Sequence, residues 1–126
     1  MAVRMVLPTA AAEGCTYRIL GTITDEAGNA LPAASITTLT LTLHKYSGGI
    51  INSVDAVNIL NTGRGVVDGA GNLTLTLLPA DNPIVGPADG SRRETHVALL
   101  EWTYAAGVKA GKAEIEFPVE DLSEVP

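Results

Sequence analysis

Two segments of this chain alternate without a fault. Thr38-Leu39-Thr40-Leu41-Thr42-Leu43 and Leu73-Thr74-Leu75-Thr76-Leu77 carry leucine at every second position and threonine between. Strand side chains alternate between faces with a period of two, so each segment has one apolar face and one hydroxyl-bearing face. Two packed antiparallel sheets use such strands, one face in the core and the other in water.

The same reasoning places the remaining elements. Thr16 to Thr24 reads as a strand, with Tyr17, Ile19 and Ile23 on one face and Arg18, Leu20 and Thr22 on the other. Asp25-Glu26-Ala27-Gly28-Asn29 is a turn, because Gly and Asn tolerate positive φ. Leu31-Pro32-Ala33-Ala34 is an irregular, proline-marked edge, and a strand runs from Ser35 to Lys45. Ser47-Gly48-Gly49 breaks it, and Ile50-Ile51-Asn52 restarts a short one. Val54, Val57 and Leu60 are spaced by three behind Ser53, which predicts a single helical turn or an irregular crossover. Gly65 to Asp68 forms a short strand that Gly69-Ala70-Gly71-Asn72 turns into Leu73 to Leu78. Asp-x-Ala-Gly-Asn therefore occurs twice, at 25–29 and 68–72, as repeated turn chemistry.

Glu94 to Ala105 is a long strand with His96, Ala98, Leu100, Trp102 and Tyr104 on one face. Thr95, Val97, Leu99, Glu101 and Thr103 take the other. Residues 106–111 form a hairpin loop, and Lys112 to Val119 returns with Ala113, Ile115, Phe117 and Val119 inward. Glu114 and Glu116 point outward, where acids discourage edge-to-edge stacking. About seven short strands with little helix predict an all-β, immunoglobulin-like antiparallel β-sandwich, with Trp102 as its central plug. The Cys…Trp…Cys spacing of antibody domains is absent, so only the architecture follows.

The chain divides into an N-terminal arm (1–15), the sandwich (16–120) and an acidic tail (121–126). The arm carries Val3, Met5, Val6 and Leu7, and is either a docking strand for a partner or an edge strand of its own domain. Pro79 to Arg93 is the longest stretch without a period, a length that loops reach when they bind something or lie against a neighbour.

Composition narrows the function. The 126 residues fit one domain, and a hydrophobic share of 46% supports a core that must be aliphatic, since aromatics make up 4%. A net charge of −6 repels phosphate backbones, and Arg92-Arg93 is the one adjacent basic pair, so nucleic acid is not expected as a partner. Cys15 is the sole cysteine, which rules out an intramolecular disulfide; the expectation is a free thiol, the alternative an intermolecular bridge. No stretch approaches the roughly 18 apolar residues of a membrane span. Met1 to Leu7 is short for a signal-peptide core and Pro8 interrupts it, so the expectation is an unprocessed, cytoplasmically made protein.

Candidate chemistry is sparse. Asp25, Glu26, Asp55, Asp68, Asp81 and Asp89 fall in loops, but both Asp-x-Ala-Gly-Asn segments lack the middle ligand of a calcium loop. His44 and His96 sit in strands. Glu94 and His96 share a face at i, i+2, a spacing open to a metal but expected as a surface pair at a strand start. No Gly-x-Ser-x-Gly occurs, Ser91 and Cys15 have no local base, and Gly63-Arg64-Gly65 reads as a turn rather than a phosphate loop. The expectation is no catalytic residue, no cofactor, no metal and no enzyme. Interaction remains: the Thr38, Thr40, Thr42 face, expected in water, and the arm, the 79–93 loop and the tail as contact elements.

The run from Gly21 through Asp25-Glu26-Ala27-Gly28-Asn29 to Leu43 leads into Ile51-Asn52 and Val57-Asn58-Ile59-Leu60-Asn61. Leu78-Pro79-Ala80-Asp81-Asn82 and Glu94 to Tyr104 follow. Together these resemble small virion proteins of tailed bacteriophages with an immunoglobulin-like or upper-baseplate-like β-sandwich, over most of residues 16–122. The resemblance implies a structural component of the particle, made in the host bacterial cytoplasm and located in the virion. It points to a module at the head–tail neck or collar, or on the head, held by its arm and long loop in a homo-oligomeric ring. The implied partners are portal, connector, capsid or tail proteins, with no nucleic acid and no membrane. The alternatives are a tail baseplate module, or a free-standing carbohydrate- or ligand-binding sandwich, which would want exposed aromatics or a calcium cluster.

Overall fold

The leucines of the two alternating segments point into one shared core, although the strands that carry them lie in different sheets. The computed structural model describes residues 2–6, 10–83 and 93–120. Its strands are β1 (Ala2–Val6), β2 (Ala11–Ala12), β3 (Tyr17–Thr22), β4 (Ile36–Lys45) and β5 (Val57–Asn58). They continue as β6 (Gly65–Val67), β7 (Asn72–Leu77), β8 (Arg93–Tyr104) and β9 (Lys109–Glu120). The larger sheet runs β1-β9-β8-β4-β5, with β2 also on β9; the smaller runs β3-β7-β6. Among the described residues there is no α-helix, only 3-10 turns at Ala33–Ser35 and Pro79–Asp81. The fold is all-β in two layers. The described residues hold nine strands where about seven are expected: β1 and β2 in the arm and β5 are additional, and the short strand expected at 50–52 is absent.

The arm is an edge strand of its own domain. It pairs parallel with β9, from Ala2 opposite Lys112 to Val6 opposite Glu116, and again at Ala11–Val119 and Ala12–Glu120. The register shifts between these two stretches, across Phe117 and Pro118. The β8–β9 register runs through Pro118 unbroken while the arm register breaks there, as follows if the missing proline N–H faces the arm. Strand β9 is therefore not an edge. Glu114 and Glu116 sit half-buried between strands instead of guarding one, which corrects the reading of these acids.

Leu39, Leu41 and Leu43 from one sheet meet Leu73, Leu75 and Leu77 from the other. Of the threonines between them, Thr38 is exposed, Thr40 half-buried and Thr42 buried, its hydroxyl accepting the Ala56 N–H at 2.9 Å. Val97 departs from the alternation more sharply. It sits on the face predicted to be wet, between His44 and Glu116 in register, yet is only 1% exposed.

The predicted aromatic plug also moves. Phe117 is fully enclosed and stacks on Tyr17 with centroids 5.2 Å apart. Trp102 is buried nearer the end of β8 and donates its indole N–H to the Thr24 carbonyl at 3.2 Å. A Cβ on Gly111 would lie 2.6 Å from that indole ring. Glycine there lets β9 pass beside the tryptophan, so the strand starts at Lys109 rather than Lys112 and the loop shrinks to a turn after Tyr104. Gly111→Ala is expected to cost about 1–3 kcal/mol through overpacking, read by urea unfolding, with a changed near-ultraviolet tryptophan signal.

Residues 50–60 take the irregular course and not the helical turn, and the short strand lies at β5 (Val57–Asn58) rather than at 50–52. Ile50 makes an isolated bridge to His44, while Asn52, Ser53 and Ala56 have left-handed backbones. The segment runs back along β4, exchanging Ile51 N–H to Leu43 O at 2.9 Å and Leu43 N–H to Val54 O at 2.8 Å. Burial thus falls on Ile51, Val54 and Ile59 rather than on the three-residue spacing, because contacts with β4 outweigh local periodicity.

Candidate functional site

The ends of the sandwich differ. At one end lie the two Asp-x-Ala-Gly-Asn turns, built alike. Asp25 Oδ1 accepts the Ala27 and Asn29 N–H groups, each at 2.9 Å. Asp68 Oδ1 accepts those of Ala70 and Asn72 at 2.8 and 2.9 Å. Gly28 and Gly71 supply the positive φ. The N–H bonds hold both carboxyls below their ordinary range, the Asn29 and Asn72 amides contributing most. Their oxygens are committed to the turns, in keeping with the turn reading of both segments. Glu26, within the first turn, binds Lys109 at 2.6 Å, and that bond lowers the glutamic acid's pKa and raises the lysine's.

At the opposite end the three contact elements named from sequence come together. Ala12 pairs with Glu120, the last described residue before the tail, and Glu13 N–H bonds the Glu120 carbonyl at 2.8 Å. Arg93, where the chain returns from the long loop, also pairs with Glu120, and its guanidinium lies 3.1 Å from that carboxylate. Asn82, where the loop begins, accepts the Gly14 N–H on its carbonyl at 2.8 Å and donates its side-chain amide to the Cys15 carbonyl at 2.8 Å. The link from the arm to β3, both described ends of the loop and the last residue of β9 thus lie side by side, while the arm strand itself lies along β9 from Lys112 to Glu116. Residues 84–92, with Asp89 and Ser91, and the tail 121–126 lie outside the described residues.

The start of the loop is fixed by a polar knot. Asp81 is 0% exposed and takes a two-point bond from Arg64, Nε to Oδ2 at 2.6 Å and Nη2 to Oδ1 at 2.7 Å. Asn52 Nδ2 donates to Oδ1 at 2.8 Å and the Leu78 N–H to Oδ2 at 2.7 Å. Burial opposes ionisation of Asp81, but the bonds from Arg64, Asn52 and Leu78 outweigh it and hold the carboxyl below the usual range. Sequence reasoning missed this knot, since its members lie 17 and 29 residues apart and no local motif joins them.

His96 and Glu94 also sit at this end, and they are not the expected surface pair. The imidazole is fully buried, the Glu94 side chain is nearly so, and Nε2 lies 2.6 Å from Oε2. With a carboxylate as acceptor, Nε2 carries the hydrogen. His96 Nδ1 and Asn82 Oδ1 are buried without a hydrogen-bond partner among the described residues. His44 turns Nδ1 to the Lys45 carbonyl at 2.7 Å, and Asp55 and Cys15 are exposed. Among the described residues no three His, Cys, Asp or Glu side chains are grouped to hold a metal ion.

The arrangement defines an all-β, two-layer protein whose irregular segments are anchored at one end. No protein-family model, curated protein or solved structure matches the chain.

Proposed function

We propose that the chain is a non-enzymatic structural module of a tailed-bacteriophage particle, an immunoglobulin-like sandwich seated at the neck or collar or on the head. It docks on neighbouring virion proteins through the end where the long loop and the tail begin, beside the link from arm to β3. The observation that carries this reading is the convergence of Ala12, Asn82, Arg93 and Glu120. Segments that leave one end of a rigid scaffold side by side can engage one neighbour together, as recognition elements on loops and termini commonly do. The segments that resemble phage sandwich proteins supply the class of neighbour.

A carbohydrate-binding sandwich wants an exposed aromatic platform. Trp102, Tyr104 and Phe117 are buried and Tyr17 partly so, leaving Tyr46 as the exposed ring.

Mass spectrometry of purified particles from the phage that carries the gene tests the reading. The chain is expected in those particles, and a version lacking residues 1–12 is expected to fold but to be missing from them. Strands β1 and β2 pair with β9 alone, so the truncation leaves the antiparallel strands intact. Absence of the full-length chain from purified particles overturns the proposal. Normal incorporation of the truncated chain removes the arm from the docking end.

A further inference from the structure

Among the described residues the sheets end at β1, β5, β6 and β3, and β3 is the longest of these edges. Beyond β6, the Gly65 N–H bonds the Thr62 carbonyl at 3.3 Å and the Val67 N–H bonds Asn61 Oδ1 at 2.7 Å. Strand β5 is two residues long, and on the other side of that sheet the five-residue β1 lies over β9 and forms the edge. Strand β3 differs. Ile23 N–H bonds the Gly71 carbonyl, and Ile23 lies opposite Gly71 when the β3–β7 register is continued. Hydrogen-bonded pairs alternate along an antiparallel ladder, so Tyr17, Ile19 and Gly21 bond β7. The N–H and C=O groups of Arg18, Leu20 and Thr22 therefore face away from β7, and no partner meets them among the described residues. The strand has no proline, lysine or inward charge, the usual protections of an edge.

An apolar cleft opens beside this edge, between the sheets. Ile19, Ile23, Leu73, Trp102, Ala113 and Ile115 line it, with Gly21. A Cβ on Gly21 would meet nothing within 4 Å. On the outer face Leu20 is 64% exposed, and Arg18 is the strand's one charge.

We propose that two copies of the chain associate by antiparallel pairing of their β3 strands about a two-fold axis at Leu20. Ile19 of each copy then packs over Gly21 of the other. A two-fold strand pair must place same-face residues opposite each other. With Leu20 opposite the second copy's Leu20, Arg18 faces the second copy's Thr22, and all three bare residues of each strand exchange both bonds. Ile19 falls opposite the second copy's Gly21 in a non-hydrogen-bonded pair, where side chains approach most closely. A large side chain thus meets the gap on the cleft side, two exposed leucines meet on the outer face, and the arginines are kept apart. Moving the axis to Ile19 would leave Thr22 unpaired, and moving it to Arg18 would set the two arginines against each other. The smaller sheet becomes continuous across both copies. This interface goes beyond the virion assignment and holds for the purified chain whatever particle it serves.

Sedimentation velocity across a concentration series, together with cysteine cross-linking, tests the interface. The unaltered chain is expected to dimerise. Gly21→Val is expected to fit the monomer, where a Cβ meets nothing within 4 Å, but to fill the gap that Ile19 of the second copy would take. It is expected to sediment as a folded monomer over the same range, with an unchanged circular dichroism spectrum. In a Cys15→Ser background, Leu20→Cys places two thiols at the axis. The Cα separation there, about 5.5 Å for a hydrogen-bonded pair, puts both thiols within reach of a short bifunctional thiol cross-linker. Rapid cross-linking to a covalent dimer is expected for Leu20→Cys and not for Val66→Cys, exposed on the same outer face. A monomeric unaltered chain, a dimer indifferent to Gly21→Val, or equal cross-linking at positions 20 and 66 overturns the proposal.

Discussion

Replacing Asp81 by asparagine is expected to lower stability by about 3–5 kcal/mol, the usual cost of removing one partner from a buried ion pair. Asparagine keeps the shape but not the charge. One of its two terminal groups becomes an N–H donor aimed at Arg64 and Asn52, or at Arg64 and the Leu78 N–H, all of them donors. Arg64, only 17% exposed, is left without its counter-ion. Urea unfolding at neutral pH measures the loss. A double variant with Arg64→Met is expected to be less damaged than Asp81→Asn alone, since no buried charge is then stranded.

The pH dependence has a definite sign. The Asp81 pKa is depressed on folding, so its stabilisation is complete above the unfolded value, roughly 3.9, and is lost as pH falls through the lower folded value. The gap between the unaltered chain and Asp81→Asn should therefore narrow in acid. Asp25, Glu26 and Asp68 are shifted the same way, so some acid sensitivity persists in the variant.

Phe117→Ala is expected to be comparably severe, about 3–5 kcal/mol, because it removes a fully enclosed ring from a core that can collapse only partly. The ring packs against Tyr17 from the smaller sheet and presents an edge contact to His96 on its own sheet, with centroids 5.9 Å apart. It thus joins the layers beneath the end where the loop and the tail begin. Thermal and urea unfolding measure the loss. Val108→Ala, at a position 83% exposed, is the matched control and should stay within about 0.5 kcal/mol of the unaltered chain.

The legible parts of this fold are those in which local pattern and tertiary environment agree. Leucine every second residue specified both β4 and β7 and their buried faces, since slipping by one residue would expose every leucine. The repeated Asp-x-Ala-Gly-Asn carried its own instructions, because each aspartate bonds N–H groups two and four residues on. Segment 50–60 was illegible for the opposite reason. Its backbone bonds go to β4 and its Asn52 side chain to Asp81, so Val54 is buried while Val57 and Leu60 are only partly so, and the three-residue spacing does not mark the buried face. Of the candidate site, the arm, loop and tail were nominated by composition, but their meeting at Glu120 was not.

The sequence by itself determined the all-β class, the inward leucines, the two aspartate turns and the acidic charge, because each depends on neighbours only a few residues apart. The tertiary structure decided the parallel seat of the arm on β9, the Arg64–Asp81–Asn52 knot, the enclosed Glu94–His96 pair, the choice of Phe117 over Trp102 as central ring and the bare edge of β3. Each of these depends on which distant strands become neighbours, and side-chain alternation records a strand's face but not its partner.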